Sequence, residues 1–100
     1  MTNIRISGKA IADLDEIWLY TLREWSEEQA STYYRQLVTA IHTLVNTPPF
    51  LMKNYDVVKT GLLGLKVGHH IIFFKKQEDG DIVVDRILHE RMDVLHQYGG

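Results

Sequence analysis

The sequence predicts an α+β domain with the order β-α-α-β-β-β, a helical hairpin packed on one face of a mostly antiparallel sheet. Three observations point there. Apolar residues recur at three- and four-residue steps through most of the first half, a Ser-x-x-Gln box interrupts that pattern once, and three short strand-like runs follow a Pro-Pro break. Its 100 residues suit one domain spanning 1–100 and are too few for two.

The elements follow in order. Ile4 and Ile6 alternate with Asn3, Arg5 and Ser7, the period of a short half-buried strand. Ser7 is placed to cap a helix, its hydroxyl accepting from the first turn. Ala10, Ile11, Leu14, Ile17, Trp18, Leu22 and Trp25 then form an apolar stripe, with Asp13, Asp15, Glu16 and Arg23 outside it. Ser26-Glu27-Glu28-Gln29 is a capping box that starts a second helix, whose stripe runs from Ala30 through Tyr33, Tyr34, Leu37, Val38, Ile41 and Leu44 to Val45. Pro48-Pro49 ends it, because neither ring nitrogen carries a hydrogen to donate. The short join between the helices predicts an antiparallel hairpin.

Residues 50–60 read as a loop. Strands are expected over 62–67, 70–76 and 82–88, with Gly68 closing the first and Asp79-Gly80 turning the chain between the second and third. In the last strand Ile82, Val84, Arg86 and Leu88 share one face, and Val83, Asp85, Ile87 and His89 the other. The tail, 90–100, is expected to make a short helical turn. The helices cover only one face of such a sheet, which leaves apolar surface on the other face or beside the helices for a partner.

Composition narrows the function. Without cysteine there is no disulfide, thiolate metal site or cysteine nucleophile. No apolar run approaches the ~18 residues that span a membrane. Met1-Thr2-Asn3-Ile4-Arg5 has no basic stretch followed by an apolar segment, so no leader is expected and the cytoplasm is the expected location. Eleven Lys and Arg stand against thirteen Asp and Glu, which weighs against direct nucleic-acid binding. No cofactor is expected. Adjacent His69 and His70 would point to opposite faces of a strand and could not hold one metal ion, and His42 stands alone. Ser7, Ser26 and Ser31 sit at helix starts, away from any nucleophile elbow. Gly61, Gly64 and Gly68 lead into no helix and make no phosphate loop.

Three stretches carry a family resemblance: Ser7 through Trp18 with its Ala-Asp-Leu core, Gly61-Leu62 through Phe73-Phe74 with glycines before an aromatic pair, and Arg86-Ile87-Leu88-His89-Glu90-Arg91-Met92-Asp93. In that order the chain resembles the ParE-type toxins of the RelE/ParE superfamily, whose closing motif is Ile-Leu-His-x-Arg-x-Asp. The resemblance implies a toxin of a type II toxin–antitoxin pair that inhibits DNA gyrase by binding, without catalysis, and is neutralised by a cognate ParD-like antitoxin in a hetero-oligomer. Phe74 stands where many relatives have Tyr, and Lys59 or Lys66 where Arg is frequent, which motivates an attenuated toxin acting mainly in its antitoxin complex.

The enzymatic alternative is a ribosome-dependent endoribonuclease of the RelE branch. It needs a proton donor or acceptor and cations for the phosphate. His89 with Arg86 and Arg91 are the residues for it, although Asp85, Glu90 and Asp93 interleave with them. In the binding reading Arg86, His89, Arg91 and Asp93 are candidates for target contact. A purely structural reading pairs Arg86 or Arg91 with Asp85 or Asp93 and sets His89 against a backbone carbonyl. Antitoxin contact is expected among Ile17, Trp18, Tyr20, Thr21, Leu22, Ile72 and Phe74.

Overall fold

The computed structural model describes residues 3–99. Met1, Thr2 and Gly100, parts of the leader and tail expectations, lie outside them. The chain begins with β1 (Ile4–Ile6), α1 (Gly8–Glu24) and α2 (Glu27–His42). Then come β2 (Met52–Asn54), β3 (Leu63–Val67), β4 (His70–Lys76), β5 (Ile82–His89) and the short α3 (Val94–Gln97). The sheet runs β1-β5-β4-β3-β2, with β1 parallel to β5 and every other pair antiparallel.

Both predicted caps are present. The Ser7 hydroxyl accepts from the Ala10 N–H at 3.0 Å, and Ser26 and Gln29 form a reciprocal capping box. The second helix ends earlier than its stripe suggests, at His42. A 3₁₀ turn over Leu44–Asn46 follows, burying Leu44 and leaving Val45 exposed. Residues 50–60 are also more ordered than expected. Pro49–Leu51 make a second 3₁₀ turn that delivers the chain to β2, a fifth strand at the sheet edge.

The face of α1 that meets the sheet is displaced from the predicted stripe. Its buried residues are Ala10, Asp13, Leu14, Ile17 and Thr21, so two polar side chains lie on the inner face. The Thr21 hydroxyl is satisfied by the Ile17 carbonyl one turn back. Ile11, Leu22 and Trp25 instead face solvent.

The main core packs α1 and α2 on Ile72, Phe74, Ile82, Val84 and Ile87. The predicted sharing of faces along β5 fails after Val84. Phe74 pairs with Val84 but Phe73 pairs with Arg86, so Asp85 is an extra residue, a β-bulge. Beyond it Ile87 joins the helical core, while Leu88 joins Leu62 and Phe73 on the opposite face. That opposite face is not left bare. Tyr55, Val58, Ile71, Val94 and Tyr98 pack against it, so the loop before β3 and the tail form a smaller second core.

Glycine is required at Gly68, in the β3–β4 turn. Its φ is +59°, and an added Cβ would lie 2.6 Å from the Tyr33 ring.

Candidate partner-binding groove

A groove of about 570 Å³ opens between α1 and the end of β5. Glu16, Leu19, Tyr20 and Arg23 line one wall from successive turns of α1, and Arg86, Ile87, Leu88, His89 and Met92 line the other. Leu19, Tyr20 and Met92 are about half exposed, at 55%, 58% and 45%.

The floor is set by Asp13. Its carboxylate receives the Arg86 guanidinium through two bonds, Nε at 2.8 Å and Nη2 at 3.0 Å, and also accepts the Ile87 N–H at 2.9 Å. The Arg86 and Asp13 side chains are only 16% and 10% exposed. The hydrogen bond to Asp13 is the main reason that the Arg86 pKa is raised further. This pair closes part of the β5 edge that β1 leaves uncovered. β1 stops at Ile6 opposite Val84, the Ser7 N–H donates to the Val84 carbonyl, and the Ser7 hydroxyl donates to the Asp85 carbonyl at 2.7 Å.

His70, His89 and their neighbours close one end of the groove. The His70 and His89 rings meet edge to face at 5.2 Å, and the His69 ring stacks on His89 at 6.2 Å. His69 lies in the turn, not in a strand, so all three imidazoles gather at one corner. The Tyr33 hydroxyl ties this corner to α2. It accepts the His69 N–H at 3.2 Å and lies 2.6 Å from His70 Nδ1 and 3.3 Å from the Val67 carbonyl. Burial, with the adjacent His89 and His69, lowers the His70 pKa to about 4 and keeps the ring neutral near pH 7. On the surface outside, Lys66 and His69 both contact Glu90 at 2.9 Å, and in that order they lower its pKa to about 2. Among the described residues no group of three or more His, Asp or Glu has the geometry to hold a metal ion.

The expected site residues are therefore divided. Arg86 and His89 line the groove together. Arg86 pairs with Asp13 instead of Asp85 or Asp93, because the bulge swings it to the free edge of β5. His89 Nδ1 accepts the Arg91 N–H at 3.1 Å rather than meeting a carbonyl. Asp93 accepts the His96 N–H and caps α3. Of the residues expected to touch an antitoxin, Tyr20 lines the groove and Leu22 is exposed. Trp18 packs edge to face on Tyr34, away from the groove. Ile17 is largely buried but lines the same groove. Ile72 and Phe74 are wholly buried and Thr21 nearly so, because β4 and the inner face of α1 close on each other. These three correct the expectation of a surface contact. The residue at position 74 therefore bears on core packing, and Lys59 and Lys66 are paired with Asp85 and Glu90.

Sequence reasoning missed Asp13, Leu19, Arg23, His70 and Met92. Leu19 and Tyr20 carried a signal, being apolar residues beside the stripe and one turn before Arg23. Asp13 carried none, since its partner lies 73 positions away.

The chain matches the family model described as ParE toxin of type II toxin-antitoxin system, parDE, over residues 4–94. It is 37% identical over 89 residues to Toxin ParE1 of Mycobacterium tuberculosis, covering 89% of this chain and 90% of the relative. It is 30% identical over 99 residues to Toxin ParE1 of Caulobacter vibrioides, covering 99% and 100%. A solved structure titled Chromosomal ParDE TA system from P. aeruginosa shares the fold, with a TM-score of 0.71 at 20% identity over 89% of this chain and 96% of that one. A match over nearly the full length and relatives named alike at this identity place the chain in the ParE toxin family of type II toxin–antitoxin systems, within the RelE/ParE superfamily.

Proposed function

We propose that this protein inhibits DNA gyrase by docking on it, without catalytic turnover, and that a cognate ParD-like antitoxin neutralises it by forming a hetero-oligomer in the cytoplasm. One observation carries the non-catalytic part. The Arg86 guanidinium is spent on Asp13 in a two-bonded, largely buried pair, so it is not offered to a phosphate. The His89 Nδ1 is likewise occupied by a backbone N–H. A groove edged by half-exposed Leu19, Tyr20 and Met92 has the character of a protein contact. The name of the P. aeruginosa complex, a ParDE system, supports the antitoxin as partner.

The test is a supercoiling assay with purified gyrase beside an mRNA-cleavage assay on programmed ribosomes. Supercoiling is expected to stop at micromolar protein, with the mRNA intact. Undisturbed supercoiling at micromolar excess, with mRNA cut in a way that His89→Ala or Arg91→Ala abolishes, would reverse the assignment.

A further inference from the structure

We propose that the open edge of β2 pairs with β2 of a second copy of this chain, antiparallel about a two-fold axis at Asn54, so that one sheet runs through both copies. The orientation of the backbone comes first. In an antiparallel ladder, alternate residues direct their N–H and C=O to opposite sides. The Tyr55 N–H donates to the Leu62 carbonyl at 2.9 Å, so Tyr55 and, two residues back, Lys53 face β3. Met52 and Asn54 therefore face outward, where the sheet ends. The chain itself takes the donors on either side of Asn54. The Met52 N–H donates to the Pro49 carbonyl, and the Asp56 N–H to Asn54 Oδ1 at 2.8 Å. Asn54 keeps both its backbone N–H and its carbonyl without a hydrogen-bond partner among the described residues.

One residue with both groups free suits a symmetric pair. Opposed residues of an antiparallel pair exchange both bonds, and on a two-fold axis the residue opposite Asn54 is Asn54 of the other copy. The same axis sets position 51 of one copy opposite 57 of the other, and 53 opposite 55. Leu51 and Val57 are apolar yet 55% and 90% exposed, and they lie three residues to either side of Asn54, so each covers the other twice. Phe50, 84% exposed, borders the same edge. Lysine usually guards an open edge. Here the Lys53 ammonium is drawn back over its own Tyr55 ring, 5.3 Å from the centroid, and this register sets it against Tyr55 of the other copy. A two-fold axis at Lys53 would instead set lysine against lysine, which is unfavourable. Phe50, Leu51 and Val57 together expose roughly 400 Å² per copy, about half of the ~800 Å² per partner of a standard interface, so the pair forms and dissociates with concentration. The groove lies at the other end of the sheet and stays open in the pair.

Sedimentation equilibrium of the full chain, with a charge-swap pair, tests this. The wild-type mass should rise with concentration from that of one chain toward that of two. Leu51→Lys and Val57→Glu each change an exposed side chain, and each alone should weaken self-association at least tenfold, since both contacts of the symmetric pair then bury a charge against an apolar residue. Mixed in equal amounts, the two variants should associate again. One contact then joins the new lysine to the new glutamate and the other is the native Leu51–Val57 contact. In the wild-type chain the Asn54 amide should also exchange its hydrogen more slowly as concentration rises, a readout that needs no variant. A wild-type chain that stays monomeric at millimolar concentration would overturn the proposal. Dimers that persist in both single variants, single variants that stay apart when mixed, or an Asn54 amide indifferent to concentration would do the same.

Discussion

The Asp13–Arg86 pair can be weighed by a double-mutant cycle. Removing one partner of a buried ion pair costs roughly 3–5 kcal/mol, because the other charge is left buried and uncompensated. With side chains 10% and 16% exposed, the low end applies, and Asp13→Ala should cost ~3 kcal/mol. It also strands the Ile87 N–H, which accounts for part of that loss. Arg86→Met should cost less, ~2 kcal/mol, since Asp13 keeps the backbone N–H and some access to water. If the pair acts as a unit, the double variant should lose ~3 kcal/mol rather than the sum, a coupling of ~2 kcal/mol. Urea unfolding at pH 7 reads this well. With a slope of ~1.5 kcal/mol per molar, the Asp13→Ala midpoint falls by ~2 M. Asp13→Asn should lie between, because its carbonyl still accepts the Ile87 N–H. Costs that add within ~0.5 kcal/mol, or an Asp13→Ala midpoint close to wild type, would refute the claim that this pair holds α1 to the β5 edge.

Gly68→Ala should destabilise by ~2–3 kcal/mol, combining a positive φ that alanine resists with a clash on the Tyr33 ring, and thermal unfolding should drop by ~10 °C or more. Stability should also fall in mild acid through His70. Its folded pKa of about 4 lies below the ordinary 6.5, so the unfolded chain binds the proton more readily. The stabilisation is complete above pH 6.5 and is lost as pH falls to about 4. A shift of this size corresponds to at most ~3 kcal/mol, reduced to ~1–2 kcal/mol by solvent screening of a partly exposed ring. Glu90 adds a loss of the same sign at lower pH, between its ordinary value and about 2. Following the His70 ring protons by NMR against pH, and repeating the unfolding series with His70→Gln, checks this. A midpoint near 6.5 would contradict it.

What the sequence made legible was whatever depends on near neighbours. Ser7 and Ser26 act within three residues, and the helical hairpin and the β4–β5 turn follow from local periodicity and the Asp79-Gly80 pair. Distant coupling was hidden. Asp13 looked like a solvent-facing acid because nothing within a turn of it declares Arg86. β2 has three residues, two of them polar, and no alternation to read; its existence depends on the edge that β3 offers. The groove was half legible. Tyr20, Arg86 and His89 were named, but Ile72 and Phe74 were assigned to a surface because a sequence does not say which face of a strand a helix will cover.

The extra residue at Asp85 has a consequence for how the protein comes apart. Because the chain changes phase there, Ile87 and not Leu88 continues the helical-core face of Ile82 and Val84, and Leu88 goes to the opposite layer, as Phe74 and Phe73 divide on the adjoining strand. Neither layer can loosen without dragging at the anchor of the other. The hairpin and the C-terminal tail, far apart in sequence, are thereby yoked through one stretch of backbone and should melt together as one unit.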